Sequence, residues 1–397
     1  MRNRNLIYLA QLEEYDLKRI KIWLKNNPDK SVLEIKHHLK FTPKTCLIYF
    51  LVSIFSPFLV NQKALFLTLN LLMPFDTFIK YILVKLATFK FNIFNKKTVV
   101  IAITGSWGKT TTKETLYAIL KTLPHVFYTP SNHNTLLSIA KQALFLPPSA
   151  KIFIAELGAY QIGDIQKICH IIKPQIGILT AIGPMHLERF GTVENILKAK
   201  MEMVQNLPQN SIFWAPKNLT SQLQKFSLPQ NTNYFTDYSQ IYFSLGFNFN
   251  ISQKDIQKTL DSLPPVEHRQ QIIHNRTITV IDDTYNSNPD GFKLALDQLK
   301  KITSTEKILV TPGIIELGDL QDQENQKIAA YAASICTHII IVGQTNQSSL
   351  TKGIKSIKSS IKIFTVPDLK SAQDILPTIT TKNSAILFEN DLPDQYF

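Results

Sequence analysis

The spacing of apolar residues divides the chain into stretches with different rhythms. Over residues 9–26, Leu9, Leu12, Ile20, Trp23 and Leu24 fall on or near one helical face, and Asn26-Asn27-Pro28 closes the stretch. The spacing predicts an amphipathic helix there. A second helix is expected from Ser31, with Glu34 three residues on as a capping box. Residues 45–62 carry no charge and are bracketed by Lys44 and Lys63, with Pro57 inside. A further apolar run, residues 64–75, follows, and then a stretch at 77–91 in which lysines interrupt apolar residues. After Lys96-Lys97 the pattern becomes short β-branched runs separated by helical periodicity: 98–104, 151–156, 176–181, then 277–282, 338–342, 361–366 and 384–388. Repeated βα units of this kind predict an α/β protein with mostly parallel sheets. The divisions are a basic helical region at 1–44, a hydrophobic segment at 45–97, a central domain at 98–262 and a Rossmann-like domain at 263–397.

Charge sharpens the picture of the first hundred residues. The 397-residue chain has a net charge of +13, and residues 1–100 hold 16 Lys and Arg against 6 Asp and Glu. A basic segment suits nucleic acid or an anionic membrane, and the apolar content of this one selects the membrane. One membrane-spanning helix needs roughly 20 apolar residues, so the 45–62 run is at the short limit. A tight transmembrane hairpin, an in-plane or re-entrant anchor, and a helix pair buried in a soluble core all fit residues 45–91. The three cysteines, Cys46, Cys169 and Cys336, lie far apart. That spacing points away from disulfides and zinc and toward a reducing cytosol.

The first chemistry sits at a strand end. The run 98–104 leads directly into GSWGKTTT at 105–112 and then a helical pattern. Gly105 and Gly108 allow a backbone turn whose N–H groups, with those of Ser106, Trp107, Thr110 and Thr111, can cradle phosphates at a helix N-terminus. Lys109 can reach terminal phosphates, and the Thr110 hydroxyl can bind Mg²⁺. A general P-loop has glycine where this chain has Ile103. A strand-to-helix turn with a chance GKT is the bland alternative. Glu156 ends one predicted strand and His186 follows another, so with Lys109 they share the edge where α/β sheets bind ligands.

These segments resemble the Mur ligase family and its folylpolyglutamate and cyanophycin synthetase relatives. The resemblance is carried by TGxxGKTTT, by SNHNTLLSIA at 131–140 and by the long stretch 153–204. It continues through LPPVEHRQQI at 263–272, the DDxYNxNP pattern within 277–299 and residues 308–334. It implies a P-loop central domain, ATP and Mg²⁺, and amide-bond formation through an acyl phosphate. By similarity Thr110, Glu156 and His186 would hold metal. Lys200 would be carbamylated by CO₂ and help hold a second Mg²⁺; read alone, Lys198 and Lys200 would be solvated surface lysines. Arg269 would reach the γ-phosphate, Asp283 the ribose, and Asn286 and Asn288 the nucleotide and substrate edge. An Asx turn capping the next helix would account for Asn288 equally well.

The DDxYNxNP pattern is that of the branch adding D-alanyl-D-alanine to a muramyl peptide. Lys109, His186, Lys200 and Arg269 are then the catalytic candidates of a monomeric bacterial enzyme on the cytoplasmic side of the cell membrane. Three features depart from the family. Residues before 98 do not resemble its N-terminal UDP-binding domain, the adenine-lining HNxxN motif is missing, with residues 231–248 as a remnant, and the chain ends ILFENDLPDQYF in place of a lysine-glycine-serine strand end. A ligase acting on another or a lipid-linked acid, and a non-catalytic membrane-bound scaffold, are the rival expectations.

Overall fold

A computed structural model describes residues 3–30, 33, 37–131, 133–264, 266–275, 278–285, 287–357 and 360–396. The expected capping box of Ser31 and Glu34 lies outside the described residues. Four helices come first: α1 (Asn3–Leu12), α2 (Leu17–Asn26), α3 (Pro43–Phe55) and α4 (Asn61–Phe94). The single helix expected over 9–26 is therefore two. Glu14 and Tyr15 take left-handed φ of 56° and 64°. Asp16 then starts α2 by accepting from the Lys18 and Arg19 amides. A short polar side chain that satisfies free amides starts a new helix more readily than it continues an old one.

The two apolar runs also resolve differently from their sequence boundaries. Pro57 lies in the connection between α3 and α4, while the run 64–75 and the lysine-interrupted stretch join in one 34-residue helix, with Pro74 inside it. Ile48, Val52, Ala64, Leu65 and Leu69 pack with Leu6, Leu9 and Ile20 in one small core. At its far end α4 buries Ala87 and Phe91 among Ile139, Ala143 and Ile168 of the central domain. Between these anchor points most of it is exposed, with Phe75, Phe78, Ile79 and Ile82 among the exposed side chains.

The central domain runs β1 (Val99–Thr104), α5 (Lys109–Leu120), β2 (Val126–Tyr128), α6 (Leu136–Phe145), β3 (Ile152–Glu156), α7 (Asp164–Ile172), β4 (Ile176–Leu179), α8 (Leu187–Phe190), α9 (Val193–Gln205), β5 (Ile212–Pro216), α10 (Thr220–Leu223), β6 (Asn231–Phe235), α11 (Ser239–Asn248) and α12 (Gln253–Ser262). The second domain runs β7 (Gln271–Asn275), β8 (Ile278–Asp283), α13 (Pro289–Lys301), β9 (Glu306–Thr311), α14 (Gln321–Ala333), β10 (His338–Val342), α15 (Gln347–Ser356), β11 (Lys362–Val366), α16 (Leu369–Ile379) and β12 (Ser384–Glu389).

Among the described residues each domain carries a six-stranded sheet. The central order is β2-β3-β1-β4-β5-β6, and the second is β11-β10-β9-β12-β8-β7. All the central pairs are parallel. In the second sheet β7 alone runs antiparallel, at the edge against β8. Burial of both faces explains the unbroken apolar runs of β1 and β3. In the central sheet the chain leaves β1 for one side and later returns to the other, so β1 ends at a topological switch point. The glycine loop starts there.

Candidate functional site

The loop after β1 is shaped by two glycines. Gly105 has φ of 151°, and a Cβ on it would collide with the Thr180 hydroxyl. Gly108 has φ of 77°, and a Cβ there would lie 2.8 Å from the Tyr238 hydroxyl. Both conformations favour glycine, and both bring backbone close to neighbouring side chains. Ser106 Oγ donates to Gly183 O at 3.1 Å, and Trp107 packs on Gly183. Gly108 caps α5, whose free amides open toward the cleft. Lys109 Nζ folds back to donate to the Gly105 and Ser106 carbonyls at 2.7 and 3.0 Å. Burial lowers its pKa to about 8, an effect opposed by Glu156 and reinforced by Arg269.

Glu156 is a hub of polar contacts beside the loop. Thr110 Oγ1 donates to its Oε2 at 3.0 Å, and Asn134 Nδ2 to its Oε1 at 3.0 Å. Lys113 Nζ lies 3.5 Å away and donates to Ser131 O at 2.6 Å. The Thr110 hydroxyl and the Glu156 carboxylate are hard oxygen donors of the kind a cation such as Mg²⁺ takes. Among the described residues no cluster of three or more His, Cys, Asp or Glu forms a closed cage.

His186 caps α8 with a left-handed φ of 55°, and its Nδ1 pairs with Glu316 from the second domain. Lys200, on α9, is 5% exposed, whereas Lys198 is exposed. The solvated-surface reading therefore holds for Lys198 and fails for Lys200. Burial, with Lys109 adding repulsion, lowers the Lys200 pKa to about 7. Lys109, His186, Asn134 and Lys200 line one small cavity beside the loop.

The second domain closes the other wall. A cleft of about 630 Å³ is lined by the 106–111 loop, Glu156 and His186 on one side and by Arg269, Tyr285, Ser287 and Asn288 on the other. The Arg269 guanidinium stacks 4.0 Å over the Tyr285 ring, which aims it. Asp283 is buried at the end of β8, accepts from the Gln270 amide at 3.3 Å, and is pushed up to about 6 chiefly by burial. Asn288 Oδ1 accepts from Gly291 N at 3.0 Å, so it caps α13 while also facing the cleft. Asn286 lies outside the described residues.

Several participants escaped the sequence reading. Lys113 follows Lys109 by four residues, a spacing that puts both on one helix face. Glu316 follows β9 at the ligand-binding edge, as Glu156 ends β3. Tyr238, within the 231–248 stretch, supports the loop from beneath and donates to Thr180 O at 2.9 Å.

Two α/β domains face each other across a glycine loop, with a lysine on one wall and an arginine on the other. The sequence matches the Mur ligase middle domain over residues 103–267 and the Mur ligase, glutamate ligase domain over 268–388. The chain belongs to the Mur ligase family. Its relatives include the UDP-N-acetylmuramoyl-tripeptide–D-alanyl-D-alanine ligases of Bacillus subtilis, 26% identical over 58% of this chain and 59% of that one, and of Rickettsia prowazekii, 27% identical over 72% and 73%. The chain thus spans about three fifths of the length of the Bacillus relative. Among solved structures it shares its fold with MurF from Acinetobacter baumannii, with a TM-score of 0.68 and 24% identity over 79% of this chain and 77% of that one. It also shares it with MurF from Thermotoga maritima in complex with ADP, with a TM-score of 0.66 and 24% identity over 79% and 80%.

Proposed function

We propose that the protein is an ATP-dependent acid–amine ligase that joins D-alanyl-D-alanine, or a related amine, to a muramyl-peptide carboxylate. The observation that carries this reading is the convergence of Lys109, Thr110, Glu156 and Arg269 on one interdomain cleft. The loop amides and the α5 N-terminus hold the nucleotide phosphates. A carboxylate oxygen of the acid attacks the γ-phosphorus as the bond to ADP breaks. Lys109 from below and Arg269 from above neutralise charge that builds on the transferred group. The amine nitrogen then attacks the acyl carbon, phosphate leaves, and the nitrogen loses its proton. Mg²⁺ at Thr110 and Glu156 would supply further charge neutralisation on the phosphate oxygens. The second domain shields the acyl phosphate from water. Asp283 and Asn288 are assigned to the nucleotide edge.

The test is phosphate release by the purified chain with Mg²⁺, UDP-muramyl-tripeptide and D-alanyl-D-alanine. Release that needs both substrates supports the reading. ATP binding with no release under any pairing would overturn it in favour of a scaffold. Release with a lipid-linked acid alone would change the acid and keep the reaction.

Lys200 is assigned as a carbamate that helps hold a second Mg²⁺. Its burial supports this, because CO₂ reacts with the neutral amine. Lys200→Ala is expected to lower kcat by about 10²-fold or more. Bicarbonate added to CO₂-depleted protein should raise wild-type activity and leave the variant unchanged. Equal activity with and without bicarbonate would remove the carbamate from the scheme.

The protein is further assigned to the cytoplasmic face of the membrane as a monomer attached through residues 45–91. The exposed apolar surface of α3 and α4 supports this. α4 is long and apolar enough to cross a bilayer, with 11% of its most apolar window buried.

A further inference from the structure

We infer that α3 and α4 form a monotopic docking face that lies along one leaflet of an anionic bilayer and does not cross it. The inference rests on the membrane attachment proposed above and is independent of the ligase reaction.

The face is continuous. Leu71, Phe75, Phe78, Ile82, Leu86 and Phe89 are all exposed. Their spacing of three and four residues puts them on one side of α4 over roughly 27 Å. Leu47, Phe50 and Ile54 form a matching exposed stripe on α3, and Phe58 and Val60 project from the connection. A folded protein does not leave an apolar surface of this extent to water without a partner.

The partner is identified by charge and by geometry. The first hundred residues carry an excess of about ten positive charges. Lys18, Lys21 and Lys25 on α2 and Lys63, Lys80 and Lys85 on α4 are exposed. Lys21 Nζ sits 5.4 Å over the Phe66 ring, beside the start of α4. Apolar side chains flanked by lysines match the boundary between acyl chains and acidic headgroups.

Spanning is excluded by what the two ends of α4 hold. Its first turns pack on α1, and α1 is tied to the second domain: Tyr8 OH donates to Asp394 Oδ2 at 2.6 Å in a buried contact. Glu14, just past α1, lies 3.9 Å from Arg189 of the central domain. Its last turns pack on α6 and α7, and Lys90 Nζ donates to Ala143 O at 3.1 Å. Both ends therefore grip the same body. A 34-residue helix is about 51 Å long, against about 30 Å of bilayer core. Crossing would put that core between α1 and the domain it touches.

Two measurements test the proposal. The first is co-sedimentation of the full chain with vesicles of phosphatidylglycerol or of phosphatidylcholine. Binding should favour phosphatidylglycerol, and Phe75→Glu with Phe78→Glu should weaken it at least about tenfold. Both positions are exposed, so the fold is retained, which circular dichroism checks. Replacing Lys18, Lys21 and Lys25 by Glu should weaken binding to phosphatidylglycerol alone. If wild type and the phenylalanine variant sediment equally, the docking face is wrong. The second is labelling of Lys63→Cys and Lys97→Cys, which lie at the two ends of α4, each in a Cys46→Ser background, by an impermeant maleimide on sealed membrane vesicles of each orientation. Both sites should label from the same, cytoplasmic face. Labelling from opposite faces would show that α4 crosses, overturning the monotopic geometry while leaving attachment and ligase activity standing.

Discussion

Lys109→Ala is expected to lower kcat/KM for ATP by about 10²- to 10³-fold while the protein stays folded. Its Nζ contacts two loop carbonyls and, among the described residues, no carboxylate within ion-pairing distance, so its removal strands no buried anion there. What is lost is the cation that faces the terminal phosphates. The wild type should also show a particular pH dependence of nucleotide affinity. Burial lowers Lys109 to about 8. Phosphate oxygens favour the charged form, so they raise that pKa when nucleotide binds. Binding then requires the protonated lysine. Below pH 8 the free protein already carries the proton, and affinity is flat. Above pH 8 the free protein loses it, binding must take up a proton, and affinity falls by up to about tenfold per pH unit. Calorimetry in two buffers of different ionisation enthalpy would read that uptake directly. The Lys109→Ala variant should have lost the slope. A variant that keeps wild-type turnover, or the same slope, would remove Lys109 from the phosphate site.

The nucleotide loop was legible because its information is contiguous. A β-branched strand, two glycines, a lysine and a helix follow one another within twenty residues, and local backbone demands fix each of them. β1, β3, β4, β10 and β12 were legible for a similar reason: burial on both faces writes itself as an apolar run, whereas β2, β5, β6 and β7 were not read from the sequence. What was not legible depends on pairing across distance. Glu316 meets His186 from another domain, and Lys113 meets Glu156 across the sheet edge. Nothing in the local sequence of Lys200 separates it from Lys198, yet one turns into the cavity and the other to solvent. The break at Glu14 and Tyr15 was hidden as well. Residues 9–26 keep helical periodicity through the turn because both short helices bury their apolar sides in the same small core. Periodicity reports which face is buried and says little about where a helix stops.

Lys113→Met should destabilise the central domain by about 3–5 kcal/mol, a larger change than an average substitution produces. The Lys113 side chain is fully buried, and Glu156 is almost so. Methionine fills the volume of the stem but leaves the Glu156 carboxylate without its cation and Ser131 O without its donor. Thr110 and Asn134 still donate to Glu156, which holds the carboxylate in place but does not neutralise it. Glu114, half-exposed and 3.3 Å from the same ammonium, is screened by water and adds little. The buried pair should therefore dominate. A double-mutant cycle with Glu156→Gln isolates it: removing both charges should cost less than the sum of the single losses, by about 1–3 kcal/mol. Guanidinium unfolding monitored at each variant's midpoint is the measurement. The cycle also separates two roles for Lys113. If Glu156→Gln restores stability to Lys113→Met without restoring ATP turnover, Lys113 serves to neutralise a carboxylate that the chemistry needs. If the single substitution costs under about 1 kcal/mol, the ammonium is dispensable to the fold.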